Sequence, residues 1–389
     1  MFKRDIEIEL QALANDYPVV TLLGPRQSGK TTLVQHAFPK KSYVNLEDPD
    51  IRDLVTLDPR GFLKQYPNGA ILDEVQRVPL LLSYIQVIVD KLEEKGLFIL
   101  TGSHQLELHQ AITQSLAGRT ALLTLLPLSL HELSKAGISL SLNENLIHGG
   151  LPRIYKDSLD PTKIYKNYFQ TYVERDVRQL INIKNLVQFE HFVRICAGRI
   201  GQIINLEQIG GEIGLSSHTV KEWLSLLEAS FIVFRLQPYF ENFGKRIIKA
   251  PKLFFTDVGL ATYLLGIKDA HQLSRDPLRG HLIENLVILE FIKWRFNQGL
   301  DHQCYYYRDT QKNEVDLIFK NGHDLIPIEI KSSQTFNAEF LKNVHFFQKL
   351  VASRAPQGFL IYAGEQEQRI GSIELLNYKN FIQVLSNFI

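Results

Sequence analysis

The run Gly24-Pro25-Arg26-Gln27-Ser28-Gly29-Lys30-Thr31 constrains this chain more than any other feature, because it has the spacing G-x-x-x-x-G-K-[ST] of a phosphate-binding loop. Such a loop demands a strand before it and a helix after it. Val19-Val20-Thr21-Leu22-Leu23, apolar and β-branched, supplies the strand, and Thr32-Leu33-Val34-Gln35-His36-Ala37 opens the helix. The glycines let the backbone curl so that its N–H groups face a polyphosphate, and the helix N-terminus adds partial positive charge. Gly24 through Thr32 are therefore the expected nucleotide-binding residues: Gly24, Pro25, Arg26, Gln27, Ser28, Gly29, Lys30, Thr31 and Thr32. Lys30 is expected to reach the β- and γ-phosphates and the Thr31 hydroxyl to hold Mg²⁺.

Two further strands end in the residues this chemistry needs. Gly69-Ala70-Ile71-Leu72-Asp73-Glu74 is an apolar strand finishing in two carboxylates, with Asp73 expected on the metal and Glu74 expected to polarise the attacking water. A carboxylate placed to activate water argues for hydrolysis over passive nucleotide storage. Leu97-Phe98-Ile99-Leu100-Thr101-Gly102-Ser103 ends in small polar groups, of which Ser103 is the candidate to orient that water, the alternative being a simple turn. Arg119, before the strand Ala121–Leu125, either senses the nucleotide or pins a loop.

These motifs, in this order and followed by Pro127-Leu128-Ser129-Leu130-His131-Glu132, resemble the AAA-type P-loop ATPases of bacteria and archaea that carry a C-terminal domain of unknown function. Gly149-Gly150-Leu151-Pro152, Tyr172–Val177, Lys252–Leu260 and Gly280–Asn285 extend the resemblance over nearly the whole chain. The resemblance implies ATP as the nucleotide, since the loop alone does not separate ATP from GTP. It also implies an arginine that completes the site from a neighbouring subunit. Arg153, Arg175 and Arg178 are the candidates, the alternative being surface pairs with Glu174 or Asp176, and a homo-oligomer is expected.

Changes of texture divide the 389 residues into four parts. Residues 1–133 alternate strand and helix, as a parallel sheet wound with helices requires. Residues 134–185 are a helical lid or linker with a stripe of Tyr165, Tyr168, Phe169 and Tyr172, expected to be core rather than a base-stacking platform. Residues 186–236 read as a winged helix-turn-helix: a helix at Leu206–Ile213, a turn with an N-cap serine, a second helix from His218, then a strand. In a DNA reader Ser217, His218, Thr219 and Lys221 would face the duplex, but that surface is thinly charged, and an interdomain packing module is the alternative. The basic run Lys245–Lys252 either tracks a phosphate backbone or guards a strand edge.

Residues 237–389 carry Glu314-Val315-Asp316 and, after a turn, Ile328-Glu329-Ile330-Lys331. Asp, then Glu-x-Lys on the neighbouring strand, resembles the core of restriction-endonuclease-like nucleases, with Glu284 on a preceding helix as a fourth member. There carboxylates hold Mg²⁺ and lysine stabilises hydroxide or phosphate. A charged rim on a two-stranded ribbon is the alternative.

The fold class expected is thus α/β, and the function expected is Mg²⁺-dependent ATP hydrolysis coupled to conformational work on a nucleic acid or protein partner. An ATP-dependent nuclease using Asp316, Glu329 and Lys331, and a nucleotide-gated interaction module with slow hydrolysis, are the alternatives. A formal charge of +1 gives no global signal for DNA, so a DNA-binding surface must be local. Two cysteines exclude a disulfide framework or a cysteine-rich zinc site, the charged start Met1–Glu7 lacks a signal-peptide core, and no apolar run is long enough to cross a membrane. A cytoplasmic setting without membrane partners is expected.

Overall fold

A computed structural model describes the chain except residues 104–111, 113, 178–184, 241–247 and 387–389, and for residues 174–177 it describes the backbone alone. Arg178, the side chain of Arg175, and Lys245 and Arg246 of the basic run lie outside the described residues. Among the described residues no helix is long and apolar enough to cross a membrane.

The N-terminal sheet has five parallel strands, β1 (Val19–Leu23), β2 (Ser42–Asn45), β3 (Ala70–Asp73), β4 (Phe98–Gly102) and β5 (Thr120–Thr124), in the order β2-β3-β4-β1-β5. β1, β3 and β4 are buried at every position, as a parallel sheet covered on both faces requires. Period two divides β1 between two cores: Val19 and Leu23 join the large one, while Val20 and Leu22 pack with Ile6, Leu10, Leu33 and Val34 under the flanking helices. Because β1 has β4 on one side and β5 on the other, the carboxyl end of β1 opens at the point where the winding reverses, the usual place for a ligand in such sheets.

Short helices follow. Leu130–Lys135 and Leu142–His148 each begin with a capping box, Ser129 with Glu132 and Ser141 with Glu144. Pro152–Lys156 starts on a proline, and Pro161–Tyr168 continues in wider π-helical turns over Phe169–Val177. The aromatic stripe Tyr165, Tyr168, Phe169 and Tyr172 is buried in the large core.

Helices Leu186–Gly198, Leu206–Ile213 and Ser217–Ala229 precede the antiparallel pair β6 (Val233–Pro238) and β7 (Lys252–Phe255). Gly214 terminates the second helix in the left-handed region, and the Ser216 hydroxyl caps the third. The boundary expected after residue 236 falls inside β6: Gln237 and Pro238 pair in parallel with Tyr305 and Tyr306 of β8 (Cys304–Arg308). β6 thereby joins its hairpin to an eight-stranded sheet containing β9 (Glu314–Asn321), β10 (Asp324–Lys331), β11 (Gly358–Tyr362), β12 (Gln368–Ile370) and β13 (Ile373–Asn377). The order is β12-β13-β11-β10-β9-β8-β6-β7. The helix Arg279–Phe296 is buried over most of its length. The hairpin expected between β9 and β10 forms, its turn at Gly322 taking positive φ.

Candidate functional site

The phosphate-binding loop occupies the carboxyl end of β1. Gly24 has φ 153°, and a Cβ there would lie 2.1 Å from the Leu125 carbonyl oxygen. Gly29, with φ 97°, starts the helix Lys30–Ala37, so glycine is needed at both places. The Lys30 ammonium curls back over the loop and donates to the carbonyls of Gly24 and Pro25, each at 2.9 Å. Burial pushes the Lys30 pKa down, against the opposing pull of Glu74 and Asp73.

Asp73 gathers three hydroxyls. Thr31 donates to its Oδ2 at 2.8 Å and Tyr43 to the same oxygen at 2.7 Å, while Thr101 donates to Oδ1. A threonine in the first turn of the helix and a strand-end aspartate in direct contact offer oxygen donors that would suit a nucleotide-bound Mg²⁺. Glu74 sits next in the chain with φ 58° and ψ 47°, a left-handed conformation that is costly for a non-glycine residue and clusters at functional sites. Its Oε2 accepts from Ser103 at 2.8 Å and from Gln76, which also reaches Ser103 at 3.1 Å. Burial raises the Glu74 carboxyl, but the charge of Lys30 and the donors Gln76 and Ser103 outweigh it, holding it below the ordinary glutamate range. Ser103 therefore contacts the carboxylate directly.

The loop faces a cleft of about 580 Å³, within the range typical of small-ligand sites. The opposite wall comes from the helical segment: Pro152, Arg153, Lys156, Thr171 and Tyr172. Arg153 thus lines the cleft of its own chain and pairs at 3.6 Å with Asp157, which ends the same helix. Arg26 pairs with Glu47 at 2.8 Å and lies over the Tyr172 ring at 5.8 Å, and Glu47 also takes Arg77 at 3.2 Å. Arg119 is bound to Asp90 at 2.5 Å, on the helix Leu81–Leu92.

Two buried hubs hold this arrangement. Arg4 donates to the Ser28 carbonyl at 2.7 Å, the Leu126 carbonyl at 2.7 Å and Glu132 at 3.0 Å, tying the loop to the capping box at residues 129–132. Asp257 accepts from Gly150 N–H at 2.9 Å on Oδ2, and from the Tyr165 hydroxyl at 2.7 Å, Gly259 N–H at 2.8 Å and Leu260 N–H at 3.3 Å on Oδ1. Gly150 leads directly into Pro152 and Arg153. The sequence reading passed over Tyr43, Gln76, Thr101, Arg4 and Asp257. Gln76 and Thr101 stood within two residues of Glu74 and Ser103, whereas Arg4 and Asp257 act on partners far away in the chain.

Asp316, Glu329, Lys331 and Glu284 also come together, in the C-terminal sheet. Lys331 binds Glu329 at 2.5 Å, Asn343 donates to the same carboxylate at 3.0 Å, and the Ile330 N–H donates to Asp316 at 2.8 Å. Glu284 is bound at 2.8 Å by Lys252, which also binds Glu314 at 2.5 Å. The expected convergence of carboxylates on a metal position does not occur: among the described residues no three His, Cys, Asp or Glu side chains are arranged to hold a metal ion. Lysines occupy the carboxylates instead.

Three family models match successive stretches of the chain. An AAA domain matches residues 16–134, a domain of unknown function (DUF8612) residues 139–271, and a further domain of unknown function (DUF4143) residues 279–381. The loop, the parallel sheet and the AAA match define an AAA-type P-loop ATPase. "Uncharacterized protein Rv2008c" of Mycobacterium tuberculosis is 30% identical over 339 residues, covering 86% of this chain and 74% of the relative, and the chain belongs to the same family. An uncharacterized protein of Haemophilus influenzae is 23% identical over 248 residues, 60% of this chain and 58% of that one. Among solved structures, the Walker-type ATPase PABY2304 of Pyrococcus abyssi shares 16% identity at a TM-score of 0.47, over 68% of this chain and 96% of that one.

Proposed function

We propose that the protein binds ATP with Mg²⁺ in the cleft between the loop and the helical segment, hydrolyses it, and uses the cycle to move that segment against a partner. The observation that carries this reading is the joint position of Thr31, Asp73, Glu74 and Lys30 at one end of one sheet. Lys30 leaves its two carbonyls for the β- and γ-phosphates, an exchange of neutral acceptors for charged ones. Thr31 and Asp73 would hold Mg²⁺, which when bound would neutralise charge developing on the phosphate oxygens. Glu74, kept ionised, takes the proton of the attacking water, and Ser103 and Gln76 fix its carboxylate. Arg153 approaches the γ-phosphate from the opposite wall of the same chain, so a subunit completes its own cleft; assembly into a homo-oligomer then serves the partner rather than the chemistry.

Residues 186–255 serve as a winged-helix module in this proposal. The exposed face of its third helix presents Lys221 beside Glu222, and His218 lies 3.7 Å from Glu222. That near-neutral face favours a protein partner over a duplex, whose phosphates require several cations.

ATP turnover by the purified protein, with Mg²⁺ and with or without duplex DNA, tests the proposal. Lys30→Ala should abolish turnover, and Glu74→Gln should bind ATP without hydrolysing it. Wild-type turnover in either variant refutes the assignment. Stimulation by DNA would overturn the preference for a protein partner.

A further inference from the structure

Glu74 is placed by a backbone turn as much as by its own side chain. The register between β3 and β4 ends at Leu72 and Leu100, so Asp73 and Glu74 leave that ladder together. At Glu74 the chain takes φ 58° and ψ 47°, a conformation that residues other than glycine hold only where their surroundings enforce it. The Glu74 N–H, past the end of the ladder, donates to the Thr101 hydroxyl at 3.1 Å rather than to a strand carbonyl.

Thr101 lies in β4 and is fully buried. A buried hydroxyl carries one hydrogen and two lone pairs, and it is stable there only with partners. The hydrogen goes to Asp73 Oδ1, and a lone pair takes the Glu74 N–H. One hydroxyl thereby clamps the side chain of the first acid and the backbone of the second. Ser103, two residues further on, holds the Glu74 carboxylate itself, by a 2.8 Å bond to Oε2. Glu74 is thus fixed at both ends, by Thr101 at the amide and by Ser103 at the carboxylate, which lines the cleft.

We propose that Thr101 is a positioning residue for hydrolysis. Its hydroxyl holds the left-handed turn that aims the Glu74 carboxylate into the cleft, and it keeps Asp73 in step with that turn. The inference rests on the ATPase reading for what Glu74 does, and on the nucleotide-free geometry for what Thr101 does. Valine has the shape of threonine and suits a buried strand, but it leaves the Glu74 N–H without its acceptor. The strained turn then loses the contact that enforces it, and the carboxylate drifts from Lys30, Ser103 and Gln76. Asp73 keeps Thr31 and Tyr43 on its other oxygen, so nucleotide binding should suffer much less than turnover.

The test compares Thr101→Val and Thr101→Ser in the full-length protein, with Glu74→Gln as the reference. Binding of a fluorescent ATP analogue gives affinity and counts folded sites. Per site, Thr101→Val should bind within about threefold of wild type while kcat falls at least about tenfold. The acid limb of its kcat/KM profile should move to higher pH, because a carboxyl that has lost Lys30, Gln76 and Ser103 titrates higher. Thr101→Ser, which keeps the hydroxyl, should return both toward wild type. The Glu74 amide of the nucleotide-free protein should exchange its hydrogen at least about tenfold faster in Thr101→Val. Thr101→Ala is read in the same way if the valine protein does not fold. Wild-type kcat and an unmoved acid limb in Thr101→Val, beside an inactive Glu74→Gln, would overturn this inference alone. A loss that serine does not restore, or that leaves the acid limb in place, would make Thr101 a packing residue and overturn it as well. Full turnover in Glu74→Gln would instead remove the ATPase reading on which the inference rests.

Discussion

Replacing Asp257 with asparagine changes no volume and removes one charge, yet it should be among the more damaging substitutions near the nucleotide cleft. Both carboxylate oxygens accept: Oδ2 from Gly150 N–H, and Oδ1 from the Tyr165 hydroxyl, Gly259 N–H and Leu260 N–H. Asparagine offers one acceptor and one NH₂, so either orientation points a donor at a donor. With the oxygen kept toward Gly259, the amide faces Gly150 N–H, which loses its acceptor inside the protein. A buried donor without a partner costs about 1–3 kcal/mol, and the bonds that remain lose their charge assistance. A total near 2–4 kcal/mol follows, or a melting midpoint lower by roughly 3–5 °C for a chain of this length. The Gly150 end should suffer first, and with it Pro152 and Arg153 on the cleft wall. Nucleotide affinity should therefore fall together with stability, read by a fluorescent ATP analogue and by thermal melting. Tyr165→Phe is the control: it deletes one donor, leaves all three N–H groups satisfied and should cost only about 0.5–1.5 kcal/mol. An Asp257→Asn protein melting within about 2 °C of wild type, with unchanged affinity, would refute the reasoning.

Three further outcomes are expected. Ser103→Ala removes a donor from the ionised Glu74, so the Glu74 pKa rises and the acid limb of ATP turnover moves to higher pH; a pH–rate profile that does not move would show that Glu74 is not the titrating base. Arg4→Ala strands the buried Glu132 carboxylate and frees the Ser28 carbonyl, at a cost of about 3–5 kcal/mol in urea unfolding. Adding Glu132→Gln should recover part of that loss, and strict additivity of the two would argue against direct coupling. Lys30→Met should weaken the nucleotide-free loop only slightly, because it deletes two neutral-acceptor bonds from a group already under desolvation, while removing ATP binding altogether in a titration.

Much of the nucleotide site was legible in the sequence because strand, glycine loop and helix are consecutive, so local rules fix where Lys30 and Thr31 go. Asp73 and Glu74 were legible for the same reason: an apolar run ending in acids tells where a buried strand meets solvent. The partners of those acids were not. Tyr43 reaches Asp73 only because β2 lies next to β3, and strand order is a property of the sheet, not of either strand. The C-terminal cluster shows the opposite case. Asp316, Glu329 and Lys331 stand on adjacent strands as expected, while Lys252, remote in sequence, arrives to pair with Glu284 and Glu314 nearby. A pattern of ligands says nothing about what already occupies them.

β6 belongs to two pairings at once, antiparallel to β7 along Val233–Leu236 and parallel to β8 at Gln237 and Pro238. The family models divide the chain between residues 271 and 279, but the backbone hydrogen bonds ignore that division. Cutting the gene there would strip the outer strand from one fragment and bare an unpaired edge on the other, an invitation to aggregate. Among the described residues, β6 thus ties the hairpin it makes with β7 into the sheet that β8 to β13 form, so sequence on both sides of residues 271–279 shares one set of strands.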